Sequence, residues 1–354
     1  MKVVHIVEAT ATGTLSMVRL AANSQVEAGY HVQVIYSVRE ETPGNLADLF
    51  HPDVKLINVQ MGSLKEKAKS LLKIRNLVSG SKPQAVFMHS SFAGFLGRLA
   101  LLGKDVKCFY LPHCISFMRQ DISAVKRILF TVLEWAGALK SATYVACSNS
   151  EGEAIKKYIP FRPCAVVENA VNVQAWDFNG DWPRRKKQIV TVGGIRLQKD
   201  PVRFAQIAKS VLAQRDDVEF IWVGDGEESG KQVLIDAGVK VLGWKTPDEV
   251  KVLLQNSRYY LSTALWEGMP VSPIEAMLSG CVAVLSNCAG NVDIIESNKT
   301  GFIFSGVTQA MQQICQLLEN DKLALSLSEA GRKHAAKQYA VERYVREMNS
   351  LTKV

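Results

Sequence analysis

Residues 188–201 read QIVTVGGIRLQKDP and contain a strand, a turn and a helix start in direct succession. The apolar run 188–192 predicts a buried strand, and Gly193 and Gly194 open the loop after it. Asp200 is a suitable N-cap and Pro201 a suitable first helical residue. The chain begins with the same order, in which residues 2–8 form an apolar run, 10–14 a small-residue loop, 15–28 a helical segment and 31–36 a second strand. We therefore expect two α/β folds in one chain.

Further apolar runs support this division, because helix-length segments separate most of them. Strands that alternate with helices predict a parallel, doubly wound sheet in each half. The polar segment 177–187, which contains Gly and Pro, is predicted to be the linker. Two Rossmann-like domains joined in this way are expected to face a central cleft, which is a favoured place for a ligand.

Composition limits the class of protein. The chain has 354 residues, of which 47% are hydrophobic and 21% charged, and this length is typical of two domains. It contains no apolar run of about 18 residues, so we expect no membrane-spanning helix. The stretch of residues 1–7 is too short and too strand-like to predict a signal peptide. Seven singly spaced cysteines predict reduced thiols in a cytosolic protein rather than disulfides or a metal site.

Positive charge is concentrated in the first half of the chain. The net charge is +8, and residues 1–170 hold 20 Lys and Arg against 13 Asp and Glu. This excess is compatible with nucleic acid, an anionic membrane or an acidic ligand. It gathers at 65–75 and 119–127. The first segment has an amphipathic pattern with Leu64, Ala68, Leu71 and Leu72 on one side, and a solvated surface helix is the alternative interpretation.

Two acids lie close together at residues 266–277, which read WEGMPVSPIEAM. Ser272 is predicted to cap a helix, with Pro273 as its first residue and Glu275 in the capping-box position. Glu267 lies upstream on the loop that follows an apolar strand. In an open α/β sheet, ligands bind at such strand-end loops. The alternative is that Glu275 only closes the capping box and Glu267 is a solvated loop acid.

Two cations precede the helix that starts at Pro201. Lys199 and Arg196 lie near the positive end of the helix dipole, where a cation is unfavourable by about 0.3–1 kcal/mol unless an anion is shared with the helix. This placement predicts a phosphate site at the tip of that helix. Two exposed basic residues without a role are the alternative.

These motifs, in this order, resemble the retaining glycosyltransferases of the GT-B fold, family 4 (glycosyl transferases group 1), of the bacterial surface-polysaccharide type. That family carries two glutamates separated by seven residues, which Glu267 and Glu275 match, and Lys199 matches its basic loop residue. Gly194 stands where the family has arginine, and Arg196 follows two residues later. The resemblance implies an acceptor-binding domain at 1–172, a nucleotide-sugar-binding domain at 173–337 and a helix at 338–354 that crosses back.

The resemblance also implies a set of site residues. Catalytic roles fall to Glu267, His113, Lys199 and Arg196. Donor-binding roles fall to Glu275, Gly13, Gly194, Trp244, Met269, Pro270, Val271 and Gly290. Trp244 would contact the base, Glu275 the ribose hydroxyls and Gly290 the loop against the donor. No metal and no other cofactor is expected, since no paired histidines at helical spacing and no Asp-x-Asp at a strand end occur.

The expected function is transfer of a sugar from a nucleotide donor, with UDP-sugar as co-substrate, to a lipid-linked or oligosaccharide acceptor in O-antigen, capsule or exopolysaccharide synthesis. The expected location is cytoplasmic, with peripheral contact at the inner face of the plasma membrane. A sugar-nucleotide epimerase of similar fold and a non-catalytic nucleotide-sugar-binding subunit remain alternatives. A nucleic-acid-binding protein is disfavoured because no recognisable motif accompanies the basic segments. A NAD enzyme is disfavoured because no G-x-G-x-x-G follows the first strand.

Overall fold

The structure is a computed structural model that describes residues 1–8, 10, 12–40, 42–176 and 182–353. The chain forms two compact units, one of Met1–Ala170 with Val341–Val354 and the other of Val171–Ala340. Each unit is built on one parallel sheet with helices between most successive strands. The predicted fold class, two doubly wound Rossmann-like folds, is confirmed.

The first unit holds a seven-stranded parallel sheet in the order β3-β2-β1-β4-β5-β6-β7. Its strands are β1 Lys2–Val7, β2 His31–Tyr36, β3 Lys55–Asn58, β4 Ala85–His89, β5 Lys107–Leu111, β6 Thr143–Ala146 and β7 Cys164–Val166. Its helices are α1 Thr12–Glu27, α2 Leu64–Ser81, α3 Ser91–Ala100, α4 Ala124–Gly137, α5 Asn149–Tyr158 and the C-terminal α13 Val341–Lys353. The strand order reverses between β1 and β4, which is where ligands bind in open sheets.

Both faces of this sheet are buried. Val4 and Ile6 of β1 point into one apolar cluster, and Val3 and Val7 point into a second cluster on the opposite face. Helix α13 contributes Tyr344 to the second cluster and packs beside α1. The last helix of the chain is therefore part of the first unit.

The second unit holds a six-stranded parallel sheet in the order β10-β9-β8-β11-β12-β13. Its strands are β8 Lys186–Val192, β9 Glu219–Val223, β10 Lys240–Val241, β11 Ser257–Ser262, β12 Val282–Ser286 and β13 Gly301–Phe304. Its helices are α6 Val173–Trp176, α7 Pro201–Leu212, α8 Glu228–Asp236, α9 Pro247–Asn256, α10 Val271–Leu278, α11 Val307–Glu319 and α12 Asp321–Gln338. The order reverses between β8 and β11.

The predicted linker is only partly correct. Residues 177–181 lie outside the described residues, whereas Trp182 is buried and Lys186 already belongs to β8. Arg185 is also buried, and its guanidinium donates to the carbonyl oxygen of Leu254 at 2.7 Å. This charged segment is therefore the entry to the second sheet, because backbone carbonyls of the core accept its hydrogen bonds.

Two predictions about the first unit need correction. Helix α1 begins at Thr12 rather than at residue 15, so Gly13 lies in its first turn. Helix α2 forms over the predicted segment, but Ser70, Ile74 and Val78 are buried while Leu64 and Leu72 are exposed. None of the seven cysteines, all of which lie in the described part of the chain, forms a disulfide. Within the described part of the chain, every helix is too short or too polar to cross a bilayer.

Candidate active site

The loops after β8 and β11 meet at the edge where the second sheet reverses its order. These strands are parallel neighbours, with Tyr259 and Tyr260 opposite Ile189 and Val190. Their carboxyl ends therefore lie side by side. The loop after β8 carries Lys199, and the loop after β11 carries Glu267.

Lys199 and Glu267 form an ion pair with 2.8 Å between Nζ and Oε1, and both side chains are largely buried. The amide of Gln198 donates to the carbonyl oxygen of Trp266 at 2.9 Å and to Oε2 of Glu267 at 3.3 Å. Burial acts against the charge of Lys199, but the carboxylate of Glu267 raises the pKa of the ammonium above its usual value. A charged pair is thus held at the sheet edge.

Gly290 packs closely against the loop that carries Glu267. Its φ is +85°, and a Cβ at this position would lie 2.8 Å from both Cβ of Glu267 and the carbonyl oxygen of Gly268. The backbone N–H of Glu267 also donates to the carbonyl oxygen of Ala289 at 3.1 Å. Only glycine permits both the left-handed backbone and this close approach. The predicted contact of Gly290 with the donor stays a prediction.

The start of α7 confirms its predicted cap. Asp200 is the N-cap and accepts the N–H of Arg203 at 3.0 Å, and Pro201 is the first helical residue. The Asp200 carboxylate also pairs with the Arg203 guanidinium at 3.0 Å. This carboxylate satisfies one N–H group at the positive end of the helix, and the predicted phosphate site at the tip of α7 stays a prediction.

The two cations before α7 differ in their surroundings. Lys199 is turned toward Glu267, and its Cε lies 3.1 Å from the position that a Cβ on Gly193 would take. Arg196 is exposed, and within the described residues its guanidinium has no ion pair or hydrogen bond. Its charge opposes that of Lys199, but the carboxylate of Glu267 outweighs it and the pKa of Lys199 stays raised. Their predicted roles stay predictions.

The predicted capping box of the next helix is wrong. Helix α10 begins at Val271 with Pro270 as its N-cap, and no side chain caps it. The Ser272 hydroxyl instead shares a hydrogen bond of 2.9 Å with the Tyr260 hydroxyl. This competing partner on β11 explains the change, and within the described residues we find no acceptor for the N–H groups of Val271 and Ser272.

Glu275 lies on α10 one turn beyond these open N–H groups. Its carboxyl makes no hydrogen bond or ion pair within the described part of the chain, although the residue keeps some solvent contact. Desolvation raises its pKa to about 7. The carboxyl is therefore available to a ligand, and it exchanges a proton near neutral pH.

Trp244 lies beside Gly194 on the neighbouring loops. The indole is 67% exposed, and its nearest ring carbon is 3.4 Å from the position of a Cβ on Gly194. The end of β9 links these loops through backbone hydrogen bonds, since Gly193 N–H donates to the carbonyl oxygen of Val223 at 2.8 Å and Gly224 N–H to that of Gly243 at 2.9 Å. Glycine at 194 thus leaves the indole in contact with the loop that the family's arginine would occupy.

In the first unit, three histidines form a chain, of which His5 and His89 are fully buried and His113 is half-buried. His5 Nδ1 lies 3.0 Å from His89 Nε2, and His89 Nδ1 lies 3.0 Å from His113 Nε2. The chain ends at Gln25 of α1, whose Oε1 is 2.8 Å from His5 Nε2. The rings of successive histidines stack. The sequence suggested a role for His113, but it gave no signal for His5 or Gln25.

Burial keeps this chain neutral. Desolvation lowers the pKa of His5 and His113 to about 4, and that of His89 falls well below its usual value for the same reason. Each neutral ring has one N–H, so the hydrogen bonds must all run in the same direction. With the carbonyl oxygen of Gln25 as the terminal acceptor, every ring donates through Nε2, and Nδ1 of His113 is left as an acceptor.

Glu151 is a positioning residue that sequence reasoning missed. His113 and Cys114 have φ values of +55° and +99°, which other residues than glycine rarely adopt. Glu151 Oε1 accepts the N–H groups of Cys114 at 2.8 Å and Ile115 at 2.7 Å. Its buried carboxylate therefore holds the strained loop that carries His113. The only sequence signal was the Ser148 cap three residues earlier.

The remaining predicted residues are placed as follows. Gly13 has open space where a Cβ would lie. Met269 and Pro270 are buried next to Glu267, and Val271 starts α10. In the part of the chain that the structure describes, no three His, Cys, Asp or Glu side chains gather as metal ligands. Metal independence itself stays a prediction.

Comparison with known proteins identifies the class. Two family models match, glycosyl transferases group 1 over residues 172–334 and glycosyltransferase family 4 over residues 12–175. Together the two matches span residues 12–334, and the chain therefore belongs to the group 1 glycosyltransferases of the GT-B fold.

Individual relatives agree with this class. The chain is 29% identical over 264 residues to the UDP-Gal:alpha-D-GlcNAc-diphosphoundecaprenol alpha-1,3-galactosyltransferase of Escherichia coli. The aligned region covers 68% of this chain and 67% of the relative. It is 29% identical over 187 residues to the N,N'-diacetylbacillosaminyl-diphospho-undecaprenol alpha-1,3-N-acetylgalactosaminyltransferase of Campylobacter jejuni, with 51% and 46% covered. The matches thus span about half to two thirds of these relatives.

Solved structures share the fold over the whole chain. Sucrose-phosphate synthase from Thermosynechococcus elongatus aligns with a TM-score of 0.85 at 14% identity, covering 100% of this chain and 98% of the other. Anabaena HepE, solved with UDP and glucose, aligns with a TM-score of 0.81 at 15% identity and covers 100% of both chains.

The neutral histidines predict a defined pH dependence of stability. An unfolded histidine titrates near 6.5, so between pH 6.5 and about 4 the unfolded chain binds more protons than the folded one. The free energy of unfolding should fall with acid in this window, by about 1.4 kcal/mol per group for each unit of pKa difference. Urea unfolding at several pH values measures this slope.

The variant His113→Gln should reduce the slope, whatever its absolute stability. His51→Gln, which changes a partly exposed histidine, is the control and should keep the parent slope. An unchanged slope in His113→Gln would contradict the neutral chain.

The packing of Gly290 predicts an asymmetric effect of two alanine substitutions. Gly290→Ala and Gly29→Ala introduce the same backbone strain, since their φ values are +85° and +81°, but nothing lies within 4 Å of a Cβ at Gly29. Each should lose about 1 kcal/mol to the left-handed backbone, and Gly290→Ala a further 1–3 kcal/mol to overpacking. Urea unfolding of both variants checks this, and equal losses would show that Gly290 does not press on Glu267.

Proposed function

We propose that the protein is a retaining glycosyltransferase that moves a sugar from a UDP-sugar to a lipid-linked or oligosaccharide acceptor in bacterial surface-polysaccharide synthesis. The observation that carries the proposal is the buried Lys199–Glu267 ion pair at the edge where the second sheet reverses its order. A fixed charge pair at this position, beside an uncapped helix, suits a ligand that carries both hydroxyls and an anion.

We assign the donor from the polar groups that have no partner within the described residues and from one exposed aromatic ring. The N–H groups of Val271 and Ser272 and the guanidinium of Arg196 would face the diphosphate. Glu275 would accept the ribose hydroxyls, and the exposed indole of Trp244 would stack on the base. UDP is favoured because the relative from Escherichia coli is named for UDP-Gal and HepE was solved with UDP.

The chemistry follows from charge. As the glycosidic bond breaks, negative charge develops on the leaving diphosphate, and Lys199 and Arg196 would stabilise it without the reorganisation that water needs. In this scheme the two cations supply the positive charge, which makes the reaction metal-independent. Glu267 is already paired with Lys199 and Gln198, so it would hold donor hydroxyls rather than attack carbon. Retention then requires that the acceptor hydroxyl attack on the face from which the diphosphate leaves.

His113 is the candidate from the first unit. Its ring is neutral, and Nδ1 is an acceptor in the arrangement set by Gln25. Such a nitrogen would accept a hydrogen bond from a sugar hydroxyl and would not compete with the cations for the diphosphate.

The acceptor and location are assigned from the relatives. Two of them are named for diphospho-undecaprenol substrates, which are lipids. The basic first unit would allow peripheral contact with the inner face of the plasma membrane from the cytoplasm, where reduced thiols persist.

The test of this function is an incubation with a panel of nucleotide sugars and an undecaprenyl-diphosphate-linked saccharide, with products analysed by mass and anomeric configuration. A product of the donor's own anomeric configuration supports a retaining transferase. Conversion of the nucleotide sugar without an acceptor would instead identify an epimerase, and binding without turnover a non-catalytic subunit.

The variant Glu267→Gln should reduce turnover by about 10²–10³-fold, because Lys199 loses the charge that holds it and the donor loses an acceptor for its hydroxyls. Glu296→Gln is the matched control, since Glu296 is an exposed glutamate of the same unit. Initial rates at saturating donor provide the measurement. If Glu267→Gln remains as active as the control, its assigned role is wrong.

Glu275 predicts a pH-dependent affinity for the donor. Ribose hydroxyls donate to the ionised carboxylate, so binding lowers a pKa that is about 7 in the free protein and releases a proton. Affinity should therefore rise between pH 6 and 8. In Glu275→Gln it should be weaker and independent of pH. Calorimetry with a UDP-sugar, whose diphosphate does not titrate in this range, measures both, and an unchanged pH dependence in Glu275→Gln would refute the contact.

A further inference from the structure

Helix α4 has its polar and apolar faces reversed relative to an ordinary surface helix. Its inward face carries Glu134, which is buried and pairs with the equally buried Arg98 at 2.8 Å. The Tyr110 hydroxyl donates to the same carboxylate at 3.0 Å. A surface helix normally directs its apolar stripe to the core and its charges to water.

The outward face of α4 is apolar along its whole length. Its side chains follow one another at intervals of three and four residues and therefore lie on one face. These exposed residues are Val125, Ile128, Leu129, Val132 and Trp135, continued by Leu139 just beyond the helix. Val125 and Leu139, at the two ends, are 76% and 72% exposed. We call this set of six residues the α4 face.

An aromatic pair extends the α4 face toward α5. Trp135 meets Phe161 edge to face, with 6.3 Å between ring centroids, and Phe161 is also largely exposed. The Trp135 indole N–H donates to the carbonyl oxygen of Tyr158 at 2.8 Å, so its polar atom is satisfied while the ring remains open. Tryptophan with one satisfied polar end is typical of the boundary between lipid and water.

Cations surround the α4 face. At its N-terminal end, Arg127 donates to the carbonyl oxygen of Arg119 at 3.1 Å, and Lys126 lies on the same helix turn. At the other end, Arg162 donates to the carbonyl oxygen of Ala138 at 2.8 Å. Residues 119–162 contain seven Lys and Arg against four Asp and Glu. Two of those acids, Glu134 and Glu151, are buried, so the charge that reaches solvent here is positive.

We propose that the α4 face docks on an anionic lipid bilayer, with its apolar side chains in the acyl boundary and the surrounding cations against lipid phosphates. A stripe of Val, Ile, Leu and Trp between Lys and Arg has the composition of an interfacial helix. A second copy of this chain is a poorer occupant, because a two-fold contact would bring the same cations together. The choice of lipid over another anionic surface rests on the lipid-linked acceptor of the proposed function.

The test is sedimentation with phosphatidylglycerol and with phosphatidylcholine vesicles at low and high salt. The parent should bind the anionic vesicles and lose affinity as salt screens the cations. Val132→Asp should weaken binding at least about tenfold, because it places a charge in the acyl boundary. Val252→Asp is the matched control, since Val252 is a similarly exposed valine on a helix of the second unit, at 58% against 52%.

The electrostatic part of the proposal has its own pair of variants. Lys126→Glu should weaken binding to anionic vesicles, whereas Lys322→Glu, also in the first turn of a helix but in the second unit, should not. Both substitutions face the same helix dipole, which removes that effect from the comparison.

Three results would overturn the proposal: no binding of the parent to anionic vesicles at low salt, equal binding of Val132→Asp and the parent, or a dimeric parent that Val132→Asp makes monomeric. Transfer to a water-soluble saccharide without vesicles should be equal in Val132→Asp and the parent. If transfer is absent in every variant while vesicle binding follows the pattern above, the proposed function fails and the docking surface stands.

Discussion

The second unit depends on keeping one ion pair charged away from water. Removing a lysine and a glutamate from solvent costs several kcal/mol for each ion, so the pair is tolerated only with a short contact and further hydrogen bonds. The structure provides both, through the 2.8 Å contact of Lys199 with Glu267 and the amide of Gln198. Gly290 removes the side chain that would push Glu267 away. Packing and hydrogen bonds therefore hold both charges in place, and charges fixed in this way suit the proposed stabilisation of a transition state.

The first unit buries titratable groups in their neutral form, whereas the second unit buries a charged pair. Its three stacked histidines have no counter-charge, and desolvation therefore keeps them neutral. Neutral rings transmit a hydrogen-bond direction instead of a charge, so Gln25 at one end determines which nitrogen His113 presents at the other. Glu275 is intermediate, because burial without a partner leaves its carboxyl divided between two protonation states near pH 7.

Local signals in the sequence were sufficient for the fold but not for the site's contacts. Each strand and the Asp200 cap depend on neighbours within a few residues, and so does the α/β pattern that occurs twice in the chain. The structure confirms all of them. The Ser272 capping box failed because Tyr260, twelve residues earlier, bonds the same hydroxyl. The histidine chain joins residues 84 positions apart, so no local pattern reveals it. Sequence analysis placed Glu267 and Lys199 on two separate loops that each follow a strand, whereas their pairing depends on the strand order.

Helix α4 shows why an amphipathic pattern alone does not say which face is buried. The spacing of its apolar residues is typical of an amphipathic helix, and such a helix usually turns those residues toward the core. The core position is instead taken by Glu134, because the buried guanidinium of Arg98 requires a carboxylate and Tyr110 supplies a further hydrogen bond. Gly137, also on the inward side, leaves room for that guanidinium, which lies 2.9 Å from the position of a Cβ. A helix that satisfies a buried charge on one side and exposes apolar residues on the other violates a local rule twice. Such conflicts are expected where a surface has a function, because the exposed apolar area does not stabilise the fold itself.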